Sequence, residues 1–542
     1  MNPEKRYETQ RIDHLGIVAG ISHEIGLVEQ IDQKVGKVGR KVSCGQAVLA
    51  MVLNALGFSS RALYLMSDYL RNKPVDLLIG PEMAAEDFND DTLGRSLDDL
   101  YISGVTEVFA SAAARALQVY RIEHQFMHVD SSSFHLHGQY EESEADTEAI
   151  TIERGYSRDH RPDLKQIVVQ LITSQQAALP VWLEVLSGNS SDKKSFIPTV
   201  QAYCQQMAEG QALYFVMDSA GYAEDNLKNL GGTLWLMRVP ETLADAKRLV
   251  KETECDAMTK LGSGYCGKEV SHYYGGIEQR WLIVFSEAAY QRELQTMERK
   301  QTRERTAAKK QWRKVCQQIF NCQADAETAC TQFNKRWKYH KVTAQITPIT
   351  QYARRGRPAA EDQPEVVGYN LKGELRVNET GLDETKRSLG KFIIATNDLD
   401  AVRLPANAML AHYTAQGVTV ERGFRFLKDP LFFAHSLFLK KPERIMALVM
   451  IMGLALLIYA LAERKLRQAL EHNNGTVPNQ KGLPTQNPTM RWIFQTFEGI
   501  DVLSVWQNEQ LLIRQVLNLR PVHQQVLHML GPPVKKCYLI DS

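Results

Sequence analysis

Two short apolar runs that each stop at an aspartate constrain this chain more than any other feature. QFMHVD stops at Asp130 and LYFVMD stops at Asp218. A carboxylate at the C-terminal edge of a buried strand loses hydration, which is costly without a partner. One such acid is ordinary, a cap or a turn residue. Two of them, on strands that pair in one sheet, set like charges side by side at one end of it. A divalent cation relieves that repulsion. Paired carboxylates of this kind hold two Mg²⁺ or Mn²⁺ ions roughly 3.5–4 Å apart in sites for in-line phosphoryl transfer.

The segments around the two acids set the fold class. HQFMHVDSSSF, EAITIERGY and KQIVVQLITS alternate like strands, and VWLEVLSGN follows. This is the pattern of three consecutive antiparallel strands joined by loops. DKKSFIPTVQAYCQQMA is amphipathic and reads as a helix, ALYFVMDSA as a buried strand, EDNLKNL as a short helix and TLWLMRVP as a further strand. The order β-β-β-α-β-α-β opens a ribonuclease H-like α/β core, a mixed sheet flanked by helices.

Around this core, 542 residues are enough for about three or four domains. Residues 1–120 read as helical, with good helix formers at helical spacing in CGQAVLAMVLNALGF and SSRALYLMSDYLRN. Ser59 and Ser60 are candidate caps for the second, and Asp90, Asp91 and Thr92 for a third, LGRSLDDLYISG. Such helices fit a helix-turn-helix that binds DNA ends, or a plain bundle. Residues 121–240 and 406–475 are the two parts of the core. Residues 241–405 form an insertion with strand-like GIEQRWLIVFS and LGKFIIATN. It also contains QRELQTMERKQTRERTAAKKQWRKVCQQIF, a long charged helix. That helix reads equally as a solvated helix held by i,i+4 ion pairs or as a basic stripe for phosphates. Residues 476–542 form a C-terminal region.

The net charge is +1, so a nucleic-acid partner would need local basic patches. Eight cysteines without a CxxC pair suggest neither disulfides nor a zinc knuckle, and a reducing cytoplasm is the default expectation. MNPEKRYETQ shows no signal-peptide pattern. Residues 445–462 (IMALVMIMGLALLIYALA) carry no charge, but charged segments continue from both ends. A helix buried in a large core, with no membrane contact, is the expectation. No GxSxG elbow or Walker A sequence occurs.

A third carboxylate is expected from a helix. Glu421 opens ERGFRFLKDP, with Arg425 and Lys428 at i+4 and i+7 on the same face. By itself this is an ordinary salt-bridged surface helix. Beside the two strand acids, it completes a metal site whose two cations face a phosphate backbone.

The spacing from Glu421 to Lys428 is similar to the helix motif of bacterial insertion-sequence transposases with a DDE triad. These carry a large, mainly β insertion between the second and third acids. DSAGYAEDNL (218–227) looks like their second-acid segment, and GYSRDHRPDLKQIVVQL (155–171) with GNSSD (188–192) resembles another of their blocks. VERGFRFLKDP (420–430) matches the third, and residues 1–120 look like the N-terminal domain of one branch. The family motif places a tyrosine seven residues and an arginine four residues before the glutamate. Thr414 and Gly417 stand there, with Tyr413 and Gln416 one residue further back.

The resemblance implies cut-and-paste transposition catalysed by Asp130, Asp218 and Glu421 with Mg²⁺ or Mn²⁺. Cleavage at terminal inverted repeats frees a 3′-hydroxyl that attacks the opposite strand or the target. Synapsis of two ends implies at least a homodimer on double-stranded DNA, in the bacterial cytoplasm at the nucleoid. Arg425, Lys428, Tyr413, Gln416, Arg158 and His160 are the expected DNA contacts. Tyr156, Asp159 and Arg161 are further groove-lining candidates, and Asp163, Asn189 and Asp192 candidates for supporting the site; loop capping is the alternative reading for each of these, and for Arg158 and His160. His128, His135 and His137 flank Asp130 without a second ligand cluster, so contact with DNA or with the site is preferred to a transition-metal centre. Arg355 and Arg357 in ARRGRPAA form an AT-hook-like strip suited to a narrow minor groove, or else a short basic loop. A transposase-derived DNA-binding protein without catalysis, and a metal-dependent nuclease, are the alternatives.

Overall fold

The computed structural model describes residues 5–36, 39–58, 61–122, 124–138, 140, 149–206, 212–352, 363–429 and 439–540. The Ser59–Ser60 cap, Arg355 and Arg357 lie outside the described residues. The chain divides into two compact units. One comprises residues 1–237, 275–277 and 411–542, the other 238–274 and 278–410.

The first unit carries five neighbouring strands. They are β1 (Phe126–Leu136), β2 (Lys165–Ser174), β3 (Leu179–Leu186), β4 (Tyr214–Met217) and β5 (Leu234–Arg238), in the order β3-β2-β1-β4-β5. β1, β2 and β3 are antiparallel neighbours, whereas β1–β4 and β4–β5 are parallel. That order and those directions make a ribonuclease H-like mixed sheet. β4 is apolar and buried throughout, as a strand covered on both faces must be. Helix α1 (Asp192–Gln206) makes the crossover from β3 to β4.

Two details depart from the sequence expectation. EAITIERGY is not a strand; within it only an isolated bridge, Glu153 to Gln166, forms. Its alternation reflects a segment laid close across the sheet edge. A Cβ on Gly155 would stand 2.0 Å from the Gly188 carbonyl oxygen, so two glycines permit the crossing. The antiparallel trio is therefore β1, β2 and β3. Nor does Asp130 end its strand, because β1 continues to Leu136 through a serine run that still pairs with β2.

The helices of residues 15–119 belong to the same unit. Leu15–Glu24 and Cys44–Leu56 are almost wholly buried, the latter under a Ser43–Gln46 capping box. Asn89, rather than Asp90, Asp91 or Thr92, caps the helix Asp90–Ile102 through the Thr92 amide. The tail is tied back to the beginning of the chain. Lys5–Arg11 pairs with Asp501–Gln507, which pairs with Gln510–Leu517.

The charge-free run lies in helix α3 (Pro442–His472); helix α2 (Val420–Leu427) precedes it. By length and composition α3 is apolar enough to cross a membrane, but 89% of its most apolar window is buried within the protein. Gly453 makes its approach to the sheet possible: a Cβ there would stand 2.4 Å from Leu183 Cδ1. Each buried Leu or Ile on this helix stabilises the fold by roughly 1.5–3 kcal/mol.

The second unit holds the strand Lys391–Thr396 antiparallel to Ile277–Ser286, and the hairpin His340–Gln351 with Glu365–Val377. A small core of Ala308, Trp312, Ala326, Phe333, Val342 and Leu371 joins that hairpin to two helices. The longer, Glu287–Cys316, is the charged helix anticipated from sequence; it buries only Met297, Ala308 and Trp312. Among the described residues none of its lysines or arginines makes an ion pair. The i,i+4 pairing that would make it a self-contained solvated helix does not form.

Candidate functional site

The register of β1 against β4 carries the site. Phe126 pairs with Tyr214 and His128 with Val216. Two residues further along, the same register brings Asp130 level with Asp218, on backbones about 4.8 Å apart in a sheet. Asp218 accepts a hydrogen bond from the Ala220 amide at 2.8 Å, and Asp130 one from its neighbour Ser131 at 2.8 Å.

A third aspartate joins them from the start of α1. Asp192 accepts hydrogen bonds from the Ser131 hydroxyl and from the Arg158 guanidinium. Burial pushes Asp130 up to about 7, against the pull of the Ser131 amide and Arg158 and with the push of Asp218 and Asp192. Burial likewise raises Asp218, helped by Asp192 and opposed by the Ala220 amide and Arg158. Two carboxylates with raised affinity for a proton, and one guanidinium to serve three acids, are a site short of positive charge. Hard oxygen donors in that state suit a divalent cation. Among the described residues, however, no three His, Cys, Asp or Glu side chains are gathered closely enough to form a ligand set.

Glu421 lies on α2, which covers the face of the sheet that carries Asp130. Phe126, on that face, stacks on His412 at 3.4 Å. Gly423 lies against Leu171, the β2 partner of Asp130. Lys428 Nζ sits 5.4 Å above the Phe134 ring, four residues beyond Asp130 on the same side of β1. The helix therefore runs along β1, with Gly423 near the level of Asp130. Glu421 is two residues earlier, about 3 Å along the axis. Its side chain is exposed.

The expected DNA contacts are disposed unevenly. Arg425 is exposed and donates to the Gly417 carbonyl at 3.2 Å. Lys428 is held by Asp159 at 2.8 Å and Arg158 by Asp192. His160 is exposed at a positive φ of 57°, in the turn that presents Asp159. Tyr413 and Gln416 are half-buried, and Gln416 lies in the four-residue 3₁₀ turn Ala415–Val418 just before α2. Of the three histidines, His128 is buried and pushed down to about 4 by that burial. It and His412 share the Gln175 side-chain oxygen, at 3.3 and 2.9 Å. His135 meets the Ser157 hydroxyl at 2.8 Å. Gln175, in the β2–β3 turn, had no sequence signal, because its partners lie 47 and 237 residues away.

The strand order and the level pair of aspartates define the class: a ribonuclease H-like protein with an acidic site at the parallel strand junction. Residues 122–458 match the family described as a transposase DDE domain, and residues 7–114 match a domain of unknown function, DUF4277. The first match spans more than half of the chain, and the protein belongs to that family of DNA transposases. A solved structure, the piggyBac transposase synaptic complex with hairpin DNA, is similar at 9% identity and a TM-score of 0.37, over 91% of this chain and 82% of that one. No curated protein matches.

Proposed function

We propose that this transposase cuts and joins DNA at the terminal inverted repeats of a mobile element, with Asp130, Asp218 and Glu421 as its metal-binding acids. The observation that carries this reading is the Asp130–Asp218 pair, level on neighbouring parallel strands and short of positive charge. Divalent cations bound by these acids would supply the Lewis-acid and nucleophile-activating chemistry of phosphodiester hydrolysis and strand transfer. The chain itself supplies position. β1 and β4 fix two carboxylates by register, and α2 brings the third along the same face. Arg425 and Lys428 follow Glu421 on one side of the helix, where they neutralise backbone phosphates and hold the scissile bond. Arg158 and Asp192 orient the acids from the other side. Double-stranded DNA is thus both substrate and target, and joining two ends calls for a homodimer on DNA.

The test is metal-dependent cleavage of a labelled duplex carrying the element's terminal repeat, comparing the protein with Glu421→Gln. Nicking at the repeat boundary that requires Mg²⁺ or Mn²⁺ and vanishes in the variant is the expected result. Cleavage that survives Glu421→Gln removes Glu421 from the site. Specific binding without cleavage by the unaltered protein replaces this reading with that of a transposase-derived DNA-binding protein.

A further inference from the structure

The long helix Glu287–Cys316 contains a feature that the acidic site does not use. Its buried residues Met297, Ala308 and Trp312 lie on one side. At about 100° per residue, Arg292, Arg299, Arg303, Lys310, Arg313 and Lys314 fall within about 100° of arc on the opposite side. All six are exposed, and among the described residues none makes an ion pair. No acid shares that arc. Glu304 is turned away from it, accepting from the Tyr339 amide at 2.7 Å and contacting His340 Nδ1 at 3.1 Å. From Arg292 to Lys314 the row runs about 33 Å at 1.5 Å per residue, close to one turn of duplex DNA.

We propose that this stripe is a second DNA-binding surface, one that tracks the phosphate backbone of a duplex without reading its sequence. The proposal rests on the transposase reading above and adds where the insertion meets DNA. Six cations left unpaired on a helix already anchored by its far side carry a self-repulsion that a polyanion removes. The charges are spread along about six turns of the helix, a length that a duplex backbone can follow and that a small anion cannot span. Residues between them, Thr302, Thr306 and Ala307, are short enough to let a backbone approach closely.

The experiment measures the affinity of the full-length protein for a random-sequence duplex as a function of salt. Two double variants are compared, Arg303→Gln with Lys310→Gln on the stripe, and Lys300→Gln with Arg305→Gln beside it. Gln preserves helix propensity, and an unchanged melting temperature confirms folding. Each phosphate contact contributes about 0.9 to the slope of log affinity against log salt. The stripe variant is expected to lose about 1.8 of slope with a comparable loss across sequences, and the flanking variant less than half of that. Equal losses in both would reduce the effect to net charge and overturn the stripe. An unchanged slope in the stripe variant would overturn DNA as its partner, leaving an acidic protein surface as the alternative occupant. If the unaltered protein cleaves the terminal repeat and the stripe variant keeps its slope, only this inference fails. If the unaltered protein neither cleaves nor binds DNA, the transposase reading fails with it.

Discussion

The acidic site proposed here joins two halves built on opposite terms. Asp130 sits within a strand, and Asp218 directly after one, and the register of the two strands is fixed by buried neighbours, among them Phe126 stacked on Tyr214 at 4.6 Å. Asp130 cannot move without breaking the ladder, and Asp218 is held at the strand end by the Ala220 amide. Glu421 is exposed at the head of an eight-residue helix, after a 3₁₀ turn, with no side-chain cap. The strand half stores electrostatic strain in a fixed geometry. On the proposed reading, the exposed carboxylate of the helix half would be free to adjust when substrate and cations arrive. A site of the proposed kind would get its precision from the sheet and its adaptability from the helix.

That contrast is broken or upheld most sharply by changes of side-chain length. Asp130→Glu adds one methylene to an acid that cannot retreat, and should abolish cleavage about as fully as Asp130→Asn. The expected loss is roughly 10³-fold or more for either. Glu421→Asp shortens an acid whose exposed side chain is not fixed by packing, and should retain activity within about 10–100-fold of the original. Metal-dependent nicking rates for the four variants, including Asp218→Asn, decide it. Equal losses for Asp130→Glu and Glu421→Asp would mean that both halves are equally rigid.

What the sequence disclosed follows the same division. The strand half was legible because apolar runs that reach an acid leave a local trace, in QFMHVD and LYFVMD. The buried helix α3 was legible for a similar reason, its charge-free run being flanked by charged turns. Through-space relations left none. Asp192 reaches Ser131 across 61 residues, and Lys428 reaches Asp159 across 269. EAITIERGY misled because alternation also describes a segment that lies against an edge without pairing along it. The end of β1 was misplaced because serines, poor markers of a strand, stay in the ladder when the neighbouring strand supplies the hydrogen bonds. The basic helix was ambiguous in sequence because its acids could have formed i,i+4 pairs; which cations stay unpaired depends on side-chain placement.

A smaller effect separates Lys428 from the rest of its helix face. Its ammonium is held by Asp159, a carboxylate that on the proposed reading would compete with a backbone phosphate. Lys428→Ala should weaken duplex binding by about 5–10-fold and lower the salt slope by about 0.9. Asp159→Asn should act in the other direction, since the lysine no longer has to leave an ion pair. Exposed pairs are worth up to about 1 kcal/mol, so the gain is at most about 5-fold. Titration of both variants with the same duplex measures it. Weaker binding by Asp159→Asn would show that the carboxylate holds the lysine in its working position instead of competing with the DNA.

The least expected effect is on stability. Asp130 has its affinity for a proton raised to about 7 in the folded chain, mainly by burial, against about 3.9 when unfolded. Between those values the folded state holds the proton more tightly, so this group's contribution to stability declines as pH rises from about 4 to 7 and the penalty is complete above that. Asp130→Asn removes the titration. The metal-free variant should therefore melt higher than the original at pH 8 and no higher at pH 4. Relaxation and the partial solvent access that the side chain retains limit the gain to the order of 1 kcal/mol, or about 1 °C in a chain of this size. Mg²⁺ should raise the melting temperature of the original at pH 8 more than that of the variant, because relieving the same repulsion is what binding accomplishes. A variant that melts lower at pH 8 would mean that the ionised Asp130 is already compensated by Arg158, and that the strand half stores no strain for a cation to release.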